Sequence, residues 1–331
     1  MTARPEQPEP FLRGCCWPAG AGTPYPRANP ADVSRLPADT WATAQIPATV
    51  RLEFIGDAEA VEIAYRTATD ELGYRCDGAG RTFSLFQGGE KVAEVPAVLG
   101  DGLARLAVRP GEDAVVYLPE GMKPVVLSMT AAAGAIEPAP AQPRWLAYGD
   151  SLAEGWVATE PAAAWVALAG RRYHLDVHNL GYAGAARGEV VSAEQLASVE
   201  GPAVISITHG TNCWTRVPFS AGLMWETTAA FLAVVRQGHP EVPIVVASPV
   251  VRPDAEGTAN RLGATLADLR AAMEGATRER IDGGDEHLTL VPGGEVLTPD
   301  LLPDGIHPGD EGHRVMAEVF GGAVRRAVEA Q

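Results

Sequence analysis

Two short motifs carry residue types that can do chemistry together. Ser151 stands within Gly149-Asp150-Ser151-Leu152, and far downstream Asp304-Gly305-Ile306-His307 sets a carboxylate and an imidazole three residues apart. A serine hydroxyl is a weak nucleophile at neutral pH and needs a neighbouring base. Ser, then Asp, then His is one of several chain orders in which nucleophile, orienting acid and base occur. The apolar run Trp145-Leu146-Ala147-Tyr148 just ahead of the serine reads as a buried strand, which would hold Ser151 at the strand's carboxyl end.

The elements that must bring these motifs together fall into two stretches. Residues 1–45 are rich in Pro, Gly and polar groups and read as an extended arm lying on the first domain. From about residue 48 short alternating segments follow: Val50 to Phe54, Val61 to Arg66, then Phe83, Leu85, Val92, Val95, Leu106, Val108, Val115, Tyr117 and Val125 to Met129. Turn signals such as Gly56-Asp57, Asp77-Gly78, Gly88-Gly89 and Pro110-Gly111 separate them. Many short strands at this spacing predict a β-sandwich or barrel. Ala131 to Pro143 reads as an Ala/Pro linker, so the expected domains are 1–140, arm plus β-sandwich, and 141–331.

After residue 144 strand-length apolar runs alternate with helical stretches. The runs are Val177 to Leu180, Ala203 to Thr208, Pro243 to Pro249 and Leu288 to Val291; the helices are expected near 160–173, 222–237, 258–278 and 310–328. This rhythm predicts a parallel sheet covered on both faces. Such sheets place their sites beyond the carboxyl ends of the strands. Ser151, Asn179-Leu180-Gly181, His209-Gly210-Thr211-Asn212 and Asp304 to His307 all fall at such ends, so distant segments converge on one edge.

Composition narrows the partners. The 331 residues are 46% apolar, enough for a sizeable core, and the formal net charge is −16. Nucleic acid and anionic lipid both call for clustered cations, so neither is expected as a partner. Lys91 and Lys123 are the only lysines, which with abundant Ala, Gly and Pro fits a GC-rich bacterial genome. Cys15, Cys16, Cys76 and Cys213 have no metal-ligand spacing and read as reduced thiols. No apolar leader and no apolar run of about 18 residues is seen, so a cytoplasmic location is expected. No cofactor or metal is expected.

On these motifs the chain resembles the SGNH, or GDSL-type, esterase/lipase superfamily. Ser151 in Gly-Asp-Ser-Leu, Gly181 after Asn179-Leu180, Asn212 in Gly210-Thr211-Asn212, and Asp304 with His307 match its blocks in order, over roughly residues 144–331. The resemblance implies a three-layer α/β/α fold with a five-stranded parallel sheet, here preceded by a jelly-roll-like β-sandwich. It implies Ser151 as nucleophile, His307 as general base and then acid, and Asp304 as its orienting carboxylate. The implied oxyanion donors are the backbone N–H groups of Ser151 and Gly181 and the side-chain amide of Asn212. Asp150, the rival carboxylate, is the better candidate for fixing the serine loop.

Cys213 and Trp214 depart from the family's usual Asn-Asp continuation. Trp214 and Arg216 are candidates to shape the substrate pocket. His209 is read as a packed strand-end residue, His313 as one that packs or caps, and Cys213 as unreactive. The first functional reading is a serine esterase removing a short acyl group from a carbohydrate or other small polar substrate. The second is an acyltransferase of natural-product biosynthesis using the same residues. The third, a non-catalytic glycan-binding protein, is disfavoured by the intact motifs.

Overall fold

The computed structural model describes residues 5–70 and 80–331; Cys76 and the Asp77-Gly78 turn signal lie outside the described residues. The N-terminal strands form two antiparallel sheets. One contains β1 (Leu12–Arg13), β2 (Arg51–Gly56), β4 (Thr82–Gln87), β5 (Glu90–Pro96), β7 (Ala114–Tyr117) and β9 (Ile136–Pro138); the other contains β3 (Ala60–Thr67), β6 (Gly100–Ala107) and β8 (Val125–Ala132). Val61, Ile63 and Tyr65 of β3 face inward and meet Leu52, Phe54, Phe83, Leu85 and Val116 in one buried core. Alternation along each strand buries one face per sheet, which gives the expected β-sandwich. The stretch expected to be a linker is shorter than its composition suggests. Ala131 and Ala132 complete β8, and Ile136–Pro138 pairs with β2.

The second sheet is parallel, in the order β11 (Asp176–Gly181), β10 (Arg144–Gly149), β12 (Val204–Thr208), β13 (Ile244–Ala247), β14 (Leu288–Val291). Its strands alternate between two cores. Leu146, Tyr148, Ile205, Ile207, Ile244 and Val246 pack under α4 (Val190–Ser198), α6 (Ala221–Gly238) and α7 (Leu266–Asp282). Trp145, Ala147, Val204, Val245 and Ala247 pack under α3 (Trp165–Tyr173), α8 (Asp310–Met316) and α9 (Gly322–Glu329). Fully buried Trp145 and Trp165 meet at 5.6 Å between ring centroids. Such a pair contributes about 0.5–1.5 kcal/mol beyond its buried area. The chain therefore has the α/β/α fold, preceded by a β-sandwich. The order of the strands reverses direction about β10, so the switch point lies between β10 and β12, directly beneath Ser151 and Asn212.

Three local expectations are corrected. The helix expected over 258–278 starts only at Leu266, because Gly257, Asn260 and Gly263 (φ +80°) shape a loop and Thr265 with Asp268 forms a capping box at the true start. The apolar stripe over 310–328 is not one regular helix. A π-turn over Ala317–Gly321 separates α8 from α9 and turns Val319 outward. Gly321 lies so close to α3 that a Cβ there would stand 2.5 Å from Ala169 Cβ.

The arm is the third correction, because it lies on both parts of the fold. Its start runs along the sandwich, with Glu6 bridged to Met129 and Leu12 paired with Leu52. It then crosses to the parallel sheet, where Ala28, Leu36 and Ala44 of α1 (Ala38–Ala44) join the core around Leu146 and Leu180. Cys16 Sγ lies 3.1 Å from His178 Nδ1. The reason for the crossing is the arm's apolar content: Ala28, Leu36 and Ala44 are buried in the core of the parallel sheet.

Charged contacts also join sandwich and sheet. Buried Arg51 of β2 bonds Glu53 Oε1 (2.6 Å), Val177 O (3.1 Å) and Asp176 Oδ1 (2.9 Å). Asp176 meets His178 Nε2 at 2.9 Å as well. Burial alone would raise the Asp176 carboxyl, but His178 and Arg51 outweigh it and hold it well below the usual carboxylate range. A carboxylate depressed in the folded state adds stability that is full above its unfolded value, about 3.9, and is lost as pH falls toward the folded one. Stability is therefore expected to drop below pH 4, and Asp176→Asn to flatten that drop. Urea midpoints at pH 7, 4 and 3 check this; equal slopes for both proteins would remove the ion pair from the account.

Candidate active site

Ser151 opens the four-residue helix α2 (Ser151–Glu154) directly after β10. Asp150 caps it: its Oδ1 accepts the Leu152 N–H at 3.1 Å. The same buried carboxylate accepts backbone N–H groups of Gly210 and Thr211, so it ties the serine turn to the loop carrying Asn212. Burial pushes Asp150 up to about 6 in spite of these bonds. This is the loop-fixing part expected of it. Gly155, at φ +97°, ends the helix after one turn. The Ser151 N–H, at the first helical position, has no intrahelical acceptor.

The distant motif reaches this serine. His307 Nε2 lies 2.9 Å from Ser151 Oγ, across 156 residues of sequence. On the other side His307 Nδ1 lies 2.7 Å from Asp304 Oδ2. Asp304 Oδ1 accepts the His307 N–H (2.7 Å) and the Ile306 N–H (2.9 Å). Gly305, at φ +78°, lets the turn close tightly enough for one carboxylate to hold both the backbone and the ring. Partial burial tends to raise Asp304, but those N–H groups and the imidazole hold it below its ordinary value. The acceptor at Nδ1 leaves Nε2 as the lone-pair nitrogen facing the hydroxyl, the tautomer a general base needs.

Trp156 completes this side and was not foreseen. Its ring stacks on His307 at 5.2 Å and 29°. Its backbone N–H donates to Ser151 O (3.0 Å), and its carbonyl accepts from His313 Nε2 (3.1 Å). His313 Nδ1 accepts the Trp165 N–H at the start of α3 (3.3 Å), so His313 packs and caps as expected. An indole stacked over the imidazole fixes the plane of the ring. Nothing in the sequence separates Trp156 from a packing tryptophan.

The expected oxyanion donors are only partly free. Asn212 Nδ2 gives one hydrogen to Ala186 O (3.2 Å). Gly181 is a correction: its N–H is already donated to Asn179 Oδ1 at 2.9 Å. It is glycine for another reason, since a Cβ would stand 2.4 Å from the Glu154 N. Three residues on, Gly184 (φ +69°) has an N–H with no acceptor among the described residues. Glu154 Oε2 fixes the preceding turn by accepting the Ala183 N–H at 2.9 Å.

The remaining candidates divide clearly. Trp214 donates its indole N–H to Thr258 O (2.8 Å) under the Arg252 guanidinium (5.0 Å to the ring), which fastens the loop before α7 to α5 (Asn212–Thr215). Arg216 is exposed, beside Gly184. His209 is buried between Tyr148 and Phe231, and that burial lowers it to about 4. Cys213 is buried and its thiol pushed up; Cys15, Cys16 and Cys213 are free. Among the described residues no group of three His, Cys, Asp or Glu side chains is placed to hold a metal ion, and no helix is long and apolar enough to cross a membrane.

A parallel α/β/α sheet with a serine, an imidazole and a carboxylate in file at its switch point defines the class of acyl-transfer hydrolases. The sequence pattern of the GDSL-like Lipase/Acylhydrolase family matches residues 147–315, and the chain belongs to that family. No curated protein matches the sequence. Among solved structures it is similar to a salicylyl-acyltransferase, SsfX3, from a tetracycline biosynthetic pathway, with 23% identity, 99% of this chain and 97% of that one covered, and a TM-score of 0.83. A putative GDSL-like lipase from Bacteroides ovatus ATCC 8483 gives 18% identity, coverage of 99% and 98%, and a TM-score of 0.81. A family two carbohydrate esterase from Clostridium thermocellum, in complex with cellohexaose, gives 14% identity, coverage of 85% and 93%, and a TM-score of 0.63. These likenesses concern the fold.

Proposed function

We propose that the chain is a serine acyl-transfer enzyme that hydrolyses a short O-acyl ester of a carbohydrate or other small polar alcohol. The observation that supports this is the unbroken file Asp304–His307–Ser151, with contacts of 2.7 and 2.9 Å. His307 Nε2 takes the Ser151 proton as Oγ attacks the ester carbonyl carbon. The oxyanion that forms is held by the Asn212 amide and the Ser151 and Gly184 N–H groups. Collapse releases the alcohol, which takes the proton from His307. Water, deprotonated by the same imidazole, then attacks the acyl carbon, and as the acid leaves, Ser151 Oγ takes the proton back from His307. Asp304 orients the ring and stabilises its charged form. A positioned base of this kind contributes about 10²- to 10⁴-fold.

A second reading replaces that water with an acceptor alcohol. The salicylyl-acyltransferase shares the fold over 99% of this chain, arm included, as the putative lipase also does. In either reading residues 1–140 would form the arm and substrate-facing β-sandwich, and 141–331 the catalytic part.

A fluorophosphonate probe tests the shared step. One adduct is expected, on Ser151, blocking turnover of p-nitrophenyl acetate; Ser151→Ala should neither label nor turn over. Labelling elsewhere, or turnover surviving in the variant, would overturn the reading. Faster product formation on a sugar or phenolic alcohol than on water assigns the acceptor role.

A further inference from the structure

We infer that Arg216 is a specificity-determining residue and that the ester this site prefers carries a second, anionic oxygen group, a carboxylate or phosphate, within a few atoms of the reacting carbonyl. The inference rests on the acyl-transfer reading above. Its ground is an arginine on the turn that carries Asn212, without a counter-ion among the described residues. Arg187, on the loop after Gly184, is neutralised by Asp39 (2.9 Å) and Glu189 (3.5 Å). Arg252, over Trp214, pairs with Asp254 (2.8 Å). Arg216 makes no ion pair and no hydrogen bond among the described residues, in a chain with 42 acidic residues against 26 basic ones.

Its placement is equally particular. Arg216 follows Asn212 by four residues, and its N–H bonds Asn212 O at 3.0 Å, so the two side chains share one turn of helix. Its guanidinium lies over the space a side chain at position 184 would take: Nη2, Cζ and Nε would stand 3.4, 3.5 and 3.6 Å from a Cβ there. The cation thus sits next to Gly184 and one helical turn from Asn212, the two residues proposed to flank the oxyanion. A guanidinium presents a planar fork of donors that fits carboxylate and phosphate oxygens two at a time. At long range the net negative chain repels an anionic substrate. A lone arginine at the rim supplies the local attraction that overcomes this. The chain length between Arg216 and Asn212 limits the reach to a group close to the ester.

Paired esters differing only in that group test this, on the full chain. On the acyl side, p-nitrophenyl hydrogen glutarate is compared with its methyl ester. On the alcohol side, 4-acetoxybenzoate is compared with methyl 4-acetoxybenzoate, and 4-acetoxyphenyl phosphate serves as the phosphate arm. The readout is the ratio of kcat/KM, anionic over neutral. At least one pair is expected to favour the anion by about tenfold, which corresponds to roughly 1.4 kcal/mol. That ratio should fall to near parity in Arg216→Ala, invert in Arg216→Glu, persist in part in Arg216→Lys, and shrink with added salt. Ratios that are the same in the native chain and in Arg216→Glu overturn the inference and leave the acyl-transfer reading standing. Failure to cleave any of these esters overturns both.

Discussion

Asp304→Asn is expected to lower kcat by about 10⁴-fold and to be worse than Asp304→Ala. The asymmetry follows from how the carboxylate is held. Oδ1 accepts two backbone N–H groups, of Ile306 and His307, while Oδ2 faces His307 Nδ1 at 2.7 Å. An asparagine oxygen would stay with the two N–H groups, so its NH₂ would face the ring. Nδ1 must then become an acceptor, the ring proton moves to Nε2, and Nε2 can no longer take the Ser151 proton. Alanine removes the aspartate without imposing the wrong tautomer, and Asp304 is exposed enough (43% of its side chain) for water to substitute in part. Ser151→Ala and His307→Ala should each cost roughly 10⁴- to 10⁶-fold, and the double replacement no more than either, because one proton path is being cut twice. Single-turnover kinetics on p-nitrophenyl acetate give the ranking. Equal losses for the Asn and Ala variants at 304 would show that the tautomer is not set by this turn.

The order of these effects also explains what the sequence made legible. Ser151 and Asn212 could be read because each lies in a compact motif just past an apolar strand, and a parallel sheet brings such ends to one edge; Asp304 and His307 were legible from their own three-residue spacing ahead of the last helix. The five strands were recognisable because burial on both faces leaves them mostly apolar, the few polar residues such as Asn179 and Ser206 being buried with them. Gly181 and Gly184 could not be told apart. Which glycine frees its N–H depends on the Asn179 side chain and on the left-handed turn at 184, and neither is a matter of spacing. The break at 317–321 was hidden because a π-turn keeps the apolar periodicity while shifting the face it presents. The arm's crossing was hidden because its contacts are single residues, and the most consequential of them, Arg27, looks in the sequence like any loop arginine.

Arg27→Met is expected to destabilise the fold by about 3–5 kcal/mol, and Arg27→Lys by nearly as much. The Arg27 and Glu154 side chains are both fully buried, 3.3 Å apart, with 127 residues between them. The guanidinium also donates to Thr43 O (2.8 Å), Ile46 O (2.5 Å), Asn179 O (3.1 Å) and Gly181 O. All its donor groups are therefore spent on fixed acceptors from the arm, β11 and α2, a pattern a compact ammonium cannot span. Removing the cation strands the Glu154 carboxylate in the interior, which is the costly half of breaking a buried pair. Arg27→Met with Glu154→Gln should recover part of the loss, since no uncompensated charge remains, and a double-mutant cycle on urea midpoints measures the coupling. The pair reaches the chemistry as well. Glu154 holds the Ala183 N–H, and the next residue is Gly184, so a loosened pair would misplace the N–H proposed to hold the oxyanion. In Arg27→Met molecules that remain folded, kcat should fall more than KM rises. Additive midpoints in the cycle, or a kcat unchanged in the folded fraction, would reduce Arg27 to one more buried contact of the arm.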